Sequence, residues 1–215
     1  MFKFTKSNVK LMKRKIISIL KQKENIYIFF LFLLFFPLKT QLQNVIILLF
    51  DITFRNGVTT EVFTYNYTGT IVGCEKVTQM LQLKPNMNWF QKHGVYFIKF
   101  LPSLFAFIFL FKRWKKDKTF KLFDWFLIII CCFSILSSIN DAYFLVLQGE
   151  DYNLSRVLRL LPTIIIYLSI GIFIFLKVFT LKERLQTLIF GVLGFYGSFY
   201  LWMQYFGPII LPIAS

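Results

Sequence analysis

The residues of this sequence most able to carry chemistry are ionisable side chains inside long apolar runs. Lys39, Lys99 and Asp141 each lie in such a run, and Asp141 ends the polar stretch 137–141. A charge within a bilayer is costly unless it is paired or hydrated. Because Lys99 and Asp141 share an inferred depth, the pattern predicts either an ion pair between two spans or a site for a charged ligand.

A second polar group lies in the first apolar run. Lys39, Gln41, Gln43 and Asn44 fall near the middle of residues 26–54, and Pro37 interrupts the same run. Amide and ammonium groups inside a span need partners on neighbouring helices or water in a cavity. We interpret these residues either as part of a polar pathway or as a turn at the level of the lipid headgroups.

Two arginines form a third candidate site. Arg156 and Arg159 are three residues apart at the start of a later apolar run, so a helix places them on one face at the headgroup layer. They either anchor the span by snorkelling or bind a phosphate or carboxylate group. They also compete with Lys99 as partners for Asp141.

Three glycines indicate close helix packing. Gly191, Gly194 and Gly197 recur at every third position of the last apolar run. Small residues on one helix face allow another helix to approach closely. The pattern predicts helix contacts within the chain or between chains.

Residues for catalysis or metal binding are sparse. The only histidine is His93, and the cysteines are Cys74 and the adjacent pair Cys131 and Cys132. This set lacks the spacing of an ordinary zinc site. Five carboxylates are predicted on the outer side of the membrane, and they are Asp51, Glu61, Glu75, Glu150 and Asp151. No pair among them has a spacing that specifies acid and base roles, so we expect them to be solvated. We therefore predict no catalytic residue, metal or cofactor, and favour a non-enzymatic protein.

The composition identifies the solvent that surrounds these residues. The chain has 215 residues, of which 57% are hydrophobic, and its mean hydropathy is +0.63. These values are typical of a membrane protein. The net charge of +15 comes from basic residues beside apolar runs, so we expect contact with anionic lipid headgroups and no nucleic-acid partner.

The apolar runs predict an all-α polytopic membrane protein with about five transmembrane helices. The first run, residues 26–54, spans once or forms a hairpin, which would make six spans; charge asymmetry favours the single span. Tryptophans near the span ends suggest interfacial belts, and they are Trp114, Trp125 and Trp202. The remaining predicted spans are 94–111, 122–147, 160–179 and 185–206.

The chain divides into a basic arm and one membrane domain. Residues 1–25 form a cytoplasmic or membrane-surface arm, and residues 26–215 form the domain with an extramembrane insert at 51–92. Within the insert, β-branched residues and tyrosines at 58–72 favour a β-hairpin. The N-terminus is predicted to be cytoplasmic and the C-terminus on the opposite side, because basic residues concentrate at 1–25, 112–121 and 177–184.

One family shares part of this layout. A short leading span, the segment 45–54, a β-like stretch at 57–73 and a polar break at Asn140 and Asp141 resemble the order of elements in site-2-protease-type membrane metalloproteases. Those enzymes carry an HEXXH motif on the second segment, where this chain has LLFDITF at 48–54. The resemblance implies a catalytically inert relative that retains peptide or partner binding.

Three functional hypotheses remain. The first is a subunit or scaffold of a membrane complex that associates with other membrane chains or with itself. The second is a transporter or channel component with a polar pathway through Lys39, Lys99 and Asp141. The third is the inert protease relative. A scaffold would bury the three charges in tight pairs, whereas a transporter would direct them to a common hydrated pathway.

Overall fold

A computed structural model describes residues 17–56, 67, 86–117, 120–147 and 154–212. Within the helices, the side chains at 144, 147, 154–156, 158 and 159 lie outside the described part. The described residues form helices and turns and contain no strand, which confirms a helical membrane protein. The predicted β-hairpin at 58–72 lies outside the described residues except for Tyr67, as does most of the basic arm.

The first apolar run forms two consecutive helices, α1 (Glu24–Leu33) and α2 (Phe35–Phe54). Their axes differ by 44°, with the bend at Leu34. Pro37 has no backbone N–H, so the carbonyl of Leu33 loses its usual helical partner close to the bend. A change of 44° is far smaller than the reversal that a hairpin requires.

The chain continues through α3 (Trp89–His93) into the long helix α4 (Val95–Lys116). Helix α4 consists of Val95–Ile98 and Leu101–Lys116, which are separated by a tight turn. Pro102 lies at the start of the second part and removes one helical donor. The turn therefore falls at Lys99, one of the candidate site residues.

Three further helical segments complete the fold. They are α5 (Leu122–Leu147), α6 (Leu154–Phe173), which runs on into the π-helical turn Ile174–Val178, and α7 (Leu181–Ile210). Helix α7 contains the α-helical parts Leu181–Gln186, Val192–Leu201 and Gly207–Ile210, joined by π-helical turns at Thr187–Gly191 and Trp202–Phe206.

The helix lengths and composition support an integral membrane protein. Four described helices are long and apolar enough to cross a membrane, and α1 with α2 would make a fifth if the bent pair is one span. Helix α4 packs against α5, α5 against α6, and α1 against α7.

An apolar core joins these helices. Phe35, Leu110 and Ile129 are among its fully buried members.

Trp125 and Trp202 are only 2% and 5% exposed, so these two tryptophans belong to the interior and the predicted role in an interfacial belt is wrong for them. The expectation that Asp51 is solvated is also wrong, because its side chain is completely buried near the end of α2.

Candidate functional site: a charged cavity between α2, α4, α5 and α7

The three ionisable residues singled out in the apolar runs line one cavity of about 540 Å³. Helix α2 contributes Lys39 and Gln43, α4 contributes Lys99, and α5 contributes Asn140 and Asp141. The cavity therefore joins residues that are about 100 positions apart in the chain. Two ammonium groups and one carboxylate give its lining a positive charge.

Helix geometry places these residues at a similar depth. At a rise of about 1.5 Å per residue, Lys39 lies about 22 Å from Glu24, and Lys99 lies about 21 Å from Arg113. Glu24 and Arg113 belong to ion pairs at the other end of the bundle. Since a hydrocarbon core is about 30 Å thick, the cavity lies in the third of the bundle farthest from those pairs.

Helix α2 presents only part of its predicted polar stripe to the cavity. Lys39 and Gln43 are four residues apart and share the cavity face. Asn44 is completely buried, whereas Gln41 is exposed. The stripe thus divides among three faces, because each residue advances the helix by about 100°.

The turn inside α4 positions Lys99. Its ammonium nitrogen lies 4.9 Å from the centre of the Phe100 ring and 5.4 Å from that of Tyr96. Ring faces attract cations at such distances. The hydroxyl of Tyr167 donates a hydrogen bond of 2.9 Å to the Phe100 carbonyl and so links this turn to α6.

Asp141 faces the same cavity without a direct ion pair to either lysine. The ion pairs among the described residues are Arg113–Asp124, Lys121–Asp117 and Lys182–Glu24. Asp141 still interacts electrostatically with Lys39 and Lys99. Its Oδ2 atom is buried and accepts no hydrogen bond from the described part of the protein. This oxygen is therefore an unsatisfied acceptor beside the cavity.

An aromatic wall closes the side of the cavity formed by α2 and α7. Phe36 packs against Phe195 and Phe199, with ring centres 5.2 and 5.3 Å apart. The backbone N–H of Phe36 also donates to the hydroxyl of Ser198 at 3.0 Å, which satisfies a donor near the bend. Tyr196 continues this wall and is 66% exposed. Hydropathy alone did not distinguish these aromatic residues from others in the Phe-rich chain.

A serine cluster extends the polar lining toward the centre of the bundle. A void of about 10 Å³, roughly the space of one water, is lined by Lys39, Lys99, Ser103 and Ser134. The Ser134 hydroxyl lies 2.6 Å from that of Ser103, and Ser103 in turn donates to the Ile130 carbonyl at 2.6 Å. Polar groups therefore continue inward from the main cavity.

Below the serine cluster the interior is apolar and then ends in a closed ion pair. Leu110 and Ile129 are buried between the two polar regions. The guanidinium of Arg113 then donates two hydrogen bonds to Asp124, which is completely buried and also accepts one of 2.6 Å from the Lys121 backbone. Sequence reasoning missed this pair, although Asp124 begins a span only eleven residues after Arg113.

The crossing of α1 and α7 holds two further polar contacts that sequence reasoning missed. The side-chain amide of Gln186 donates to the Asn25 side-chain carbonyl at 2.8 Å, and both residues are buried. Nearby, Lys182 pairs with Glu24 at 2.6 Å. Buried amides in helix interfaces need such partners. The sequence did contain a signal for this contact, since both amide side chains lie at the beginning of apolar runs.

The glycines of α7 lie at the same crossing. A Cβ atom on Gly194 would come within 2.5 Å of the Phe29 carbonyl oxygen, whereas on Gly197 its nearest neighbour would be a Leu33 methyl at 3.0 Å. On Gly191 the nearest atoms would be 3.5 Å away. Gly194 thus allows backbone contact between α7 and α1 of the same chain.

The two predicted arginines have side chains outside the described part of the protein. Arg156 and Arg159 lie in the first turns of α6. Among the described residues, no group of three or more His, Cys, Asp or Glu side chains could hold a metal ion.

Comparisons with protein-family models, curated proteins and solved structures find no match for this chain.

Proposed function

We propose that this chain is a transporter or channel component that receives an anionic group in the cavity of Lys39, Lys99 and Asp141. The observation that carries the proposal is that these charges, from three helices, share one cavity without a direct ion pair. Charges retained at membrane depth are typical of ligand and ion pathways. The excess of one ammonium favours a negatively charged ligand.

The closed interior supports alternating access as the mode of action. Leu110 and Ile129 separate the cavity from the Arg113–Asp124 pair. In alternating access, a cavity is open on one side of the membrane while the path to the other side is closed. With the N-terminus in the cytoplasm, as the basic segments favour, the cavity belongs to the half of the membrane away from the cytoplasm.

The scaffold hypothesis receives less support from the same geometry. It relied on charges buried in tight pairs and on a glycine face available for partners. Gly194 instead meets α1 of its own chain, which occupies that part of the face. The cavity charges lack the direct pairing that a purely structural role would favour.

Thiol labelling tests the proposal. In a variant without native cysteines, Gln43→Cys is labelled with two methanethiosulfonates that differ in charge, one bearing a sulfonate and the other a trimethylammonium group. We expect the anionic reagent to react roughly tenfold faster, because a cleft with one sign of charge concentrates counter-ions. Lys39→Gln with Lys99→Gln should remove this preference.

Thr40→Cys is the matched control, since Thr40 is next to Lys39 but only 4% exposed. It should react slowly with both reagents. Equal rates for the two reagents at Gln43→Cys would refute an anion-receiving cavity. The same reagents, added only to the outside of intact cells, also test on which side of the membrane the cavity opens. If Gln43→Cys does not react under these conditions, the proposed orientation of the protein is reversed.

A further inference from the structure

A second cavity adjoins the charged one on the lipid-facing side of the bundle. This apolar groove, of about 330 Å³, lies between α5 and α7. Its lining includes Cys132 and Ile139 from α5 and Thr187 and Val192 from α7. The groove and the charged cavity share three lining residues, which are Leu136, Phe195 and Tyr196. The two spaces are therefore neighbours on either side of these shared residues.

The groove extends along the helices from the charged cavity toward the centre of the membrane. From Tyr196 back to Thr187, α7 covers nine residues, or about 13 Å. Ile139 is 50% exposed and Val192 is 39% exposed, so the groove is accessible from the bilayer. A charged compartment at one end and an apolar one along the bundle match a ligand with a polar head and an apolar chain.

Building on the proposed function, we infer that the ligand of this site is a membrane lipid with an anionic phosphodiester headgroup. The headgroup occupies the charged cavity and one acyl chain lies in the groove. A phosphodiester carries one negative charge, which balances the excess ammonium of Lys39, Lys99 and Asp141. Hydrogen bonds from ammonium groups to phosphate are among the stronger ones in proteins.

Asp141 selects within this lipid class. Its Oδ2 atom lacks a hydrogen bond from the described residues, and a rotation of the side chain toward the cavity lets it accept one from a hydroxyl of the headgroup. Asn140 lies beside it on the cavity rim and is exposed. A headgroup that combines a phosphodiester with hydroxyl groups, such as that of phosphatidylglycerol, therefore fits better than the donor-free, zwitterionic headgroup of phosphatidylcholine.

Native mass spectrometry of the full chain, released from nanodiscs that contain equal amounts of phosphatidylglycerol and phosphatidylcholine, tests this inference. We expect phosphatidylglycerol to be retained about tenfold more than phosphatidylcholine, the ratio that one charged hydrogen bond supplies. Lys39→Gln with Lys99→Gln should abolish the preference. Equal retention of the two lipids by the wild-type chain would overturn the inference.

Two groove-filling variants test the acyl-chain position. Val192→Trp and Ile139→Trp fill the groove from opposite walls, and each should lower phosphatidylglycerol retention about tenfold. Leu193→Trp is the matched control, because Leu193 is adjacent to Val192 and 58% exposed but does not line the groove. Thermal unfolding checks that all three fold. Unchanged retention in both folded groove variants would overturn the inference.

The outcomes separate this inference from the proposed function. If Gln43→Cys prefers the anionic thiol reagent but phosphatidylglycerol is not retained, the cavity receives a soluble anion and the lipid inference fails alone. If the reagent preference is also absent, both fail. A dimer in the native spectrum that Val192→Trp dissociates would mean that a second copy covers the groove, which again overturns the lipid inference.

Discussion

At one end of the bundle, Asp124 is enclosed by Arg113 and a backbone amide; at the other, Asp141 shares an open cavity with Lys39 and Lys99. Both carboxylates lie on α5, about 25 Å apart along the helix. Asp124 is completely buried with its partners in place, whereas Asp141 retains a buried oxygen without a hydrogen bond from the described residues. One helix thus carries a closed charge site and an open one.

The two sites differ in the number of positive groups for each carboxylate, and this difference explains why only one of them suits a ligand. At the closed end, one guanidinium faces one carboxylate in a fork-like arrangement, and little capacity remains for another charged group. At the open end, two ammonium groups face one carboxylate across a cavity of about 540 Å³. A structural ion pair is complete by itself, but the open site is electrostatically complete only with an added anion.

Removal of the closed carboxylate should have the largest effect on stability. Asp124→Ala leaves Arg113, whose side chain is 22% exposed, without its counter-charge. We expect a loss of about 3 kcal/mol in the free energy of unfolding, because a broken buried pair leaves an uncompensated charge. Denaturant unfolding in mixed micelles measures the loss. An equal loss in Asp141→Ala would remove the distinction between the two ends.

A smaller effect is expected where α1 and α7 touch, since this contact supports the aromatic wall of the open site. Gly194→Ala forces a methyl group against the Phe29 carbonyl and should cost about 1–3 kcal/mol through overpacking. Gly191→Ala is the control, because its new methyl would meet ordinary contacts at 3.5 Å. The two variants are compared by thermal aggregation. Similar midpoints would show that the helices can separate without cost.

Hydropathy predicted which segments are helical and how deep each residue lies. In lipid, every backbone polar group must be bonded internally, so long apolar runs have few alternatives to helices. Depth follows from counting residues along each run. This count brings Lys99 and Asp141 to one level, and Lys39 stands out as a charged residue inside another apolar run.

The rotation of each helix about its axis could not be read from such a chain. Gln41 and Gln43 look equivalent in the sequence, yet Gln41 is exposed and Gln43 lines the cavity. When nearly all faces of a helix are apolar, the hydrophobic pattern does not say which face meets a neighbour. The same limitation concealed the pair of Asn25 and Gln186, whose contact depends on how α1 crosses α7.

The smallest change in stability is expected for Asp141→Asn. The two side chains have nearly the same shape, and Oδ2 of Asp141 has no hydrogen bond from the described residues that the substitution would remove. We therefore expect the free energy of unfolding to change by no more than about 0.5 kcal/mol.

The charge of the cavity nevertheless becomes more positive, so Gln43→Cys in this background should react even faster with the sulfonate reagent relative to the trimethylammonium one. Asp124→Asn supplies the contrast, since it removes an enclosed counter-charge and should destabilise strongly without altering that ratio. A large loss of stability in Asp141→Asn would mean that this carboxylate is structural, and the open end of the bundle would then resemble the closed one.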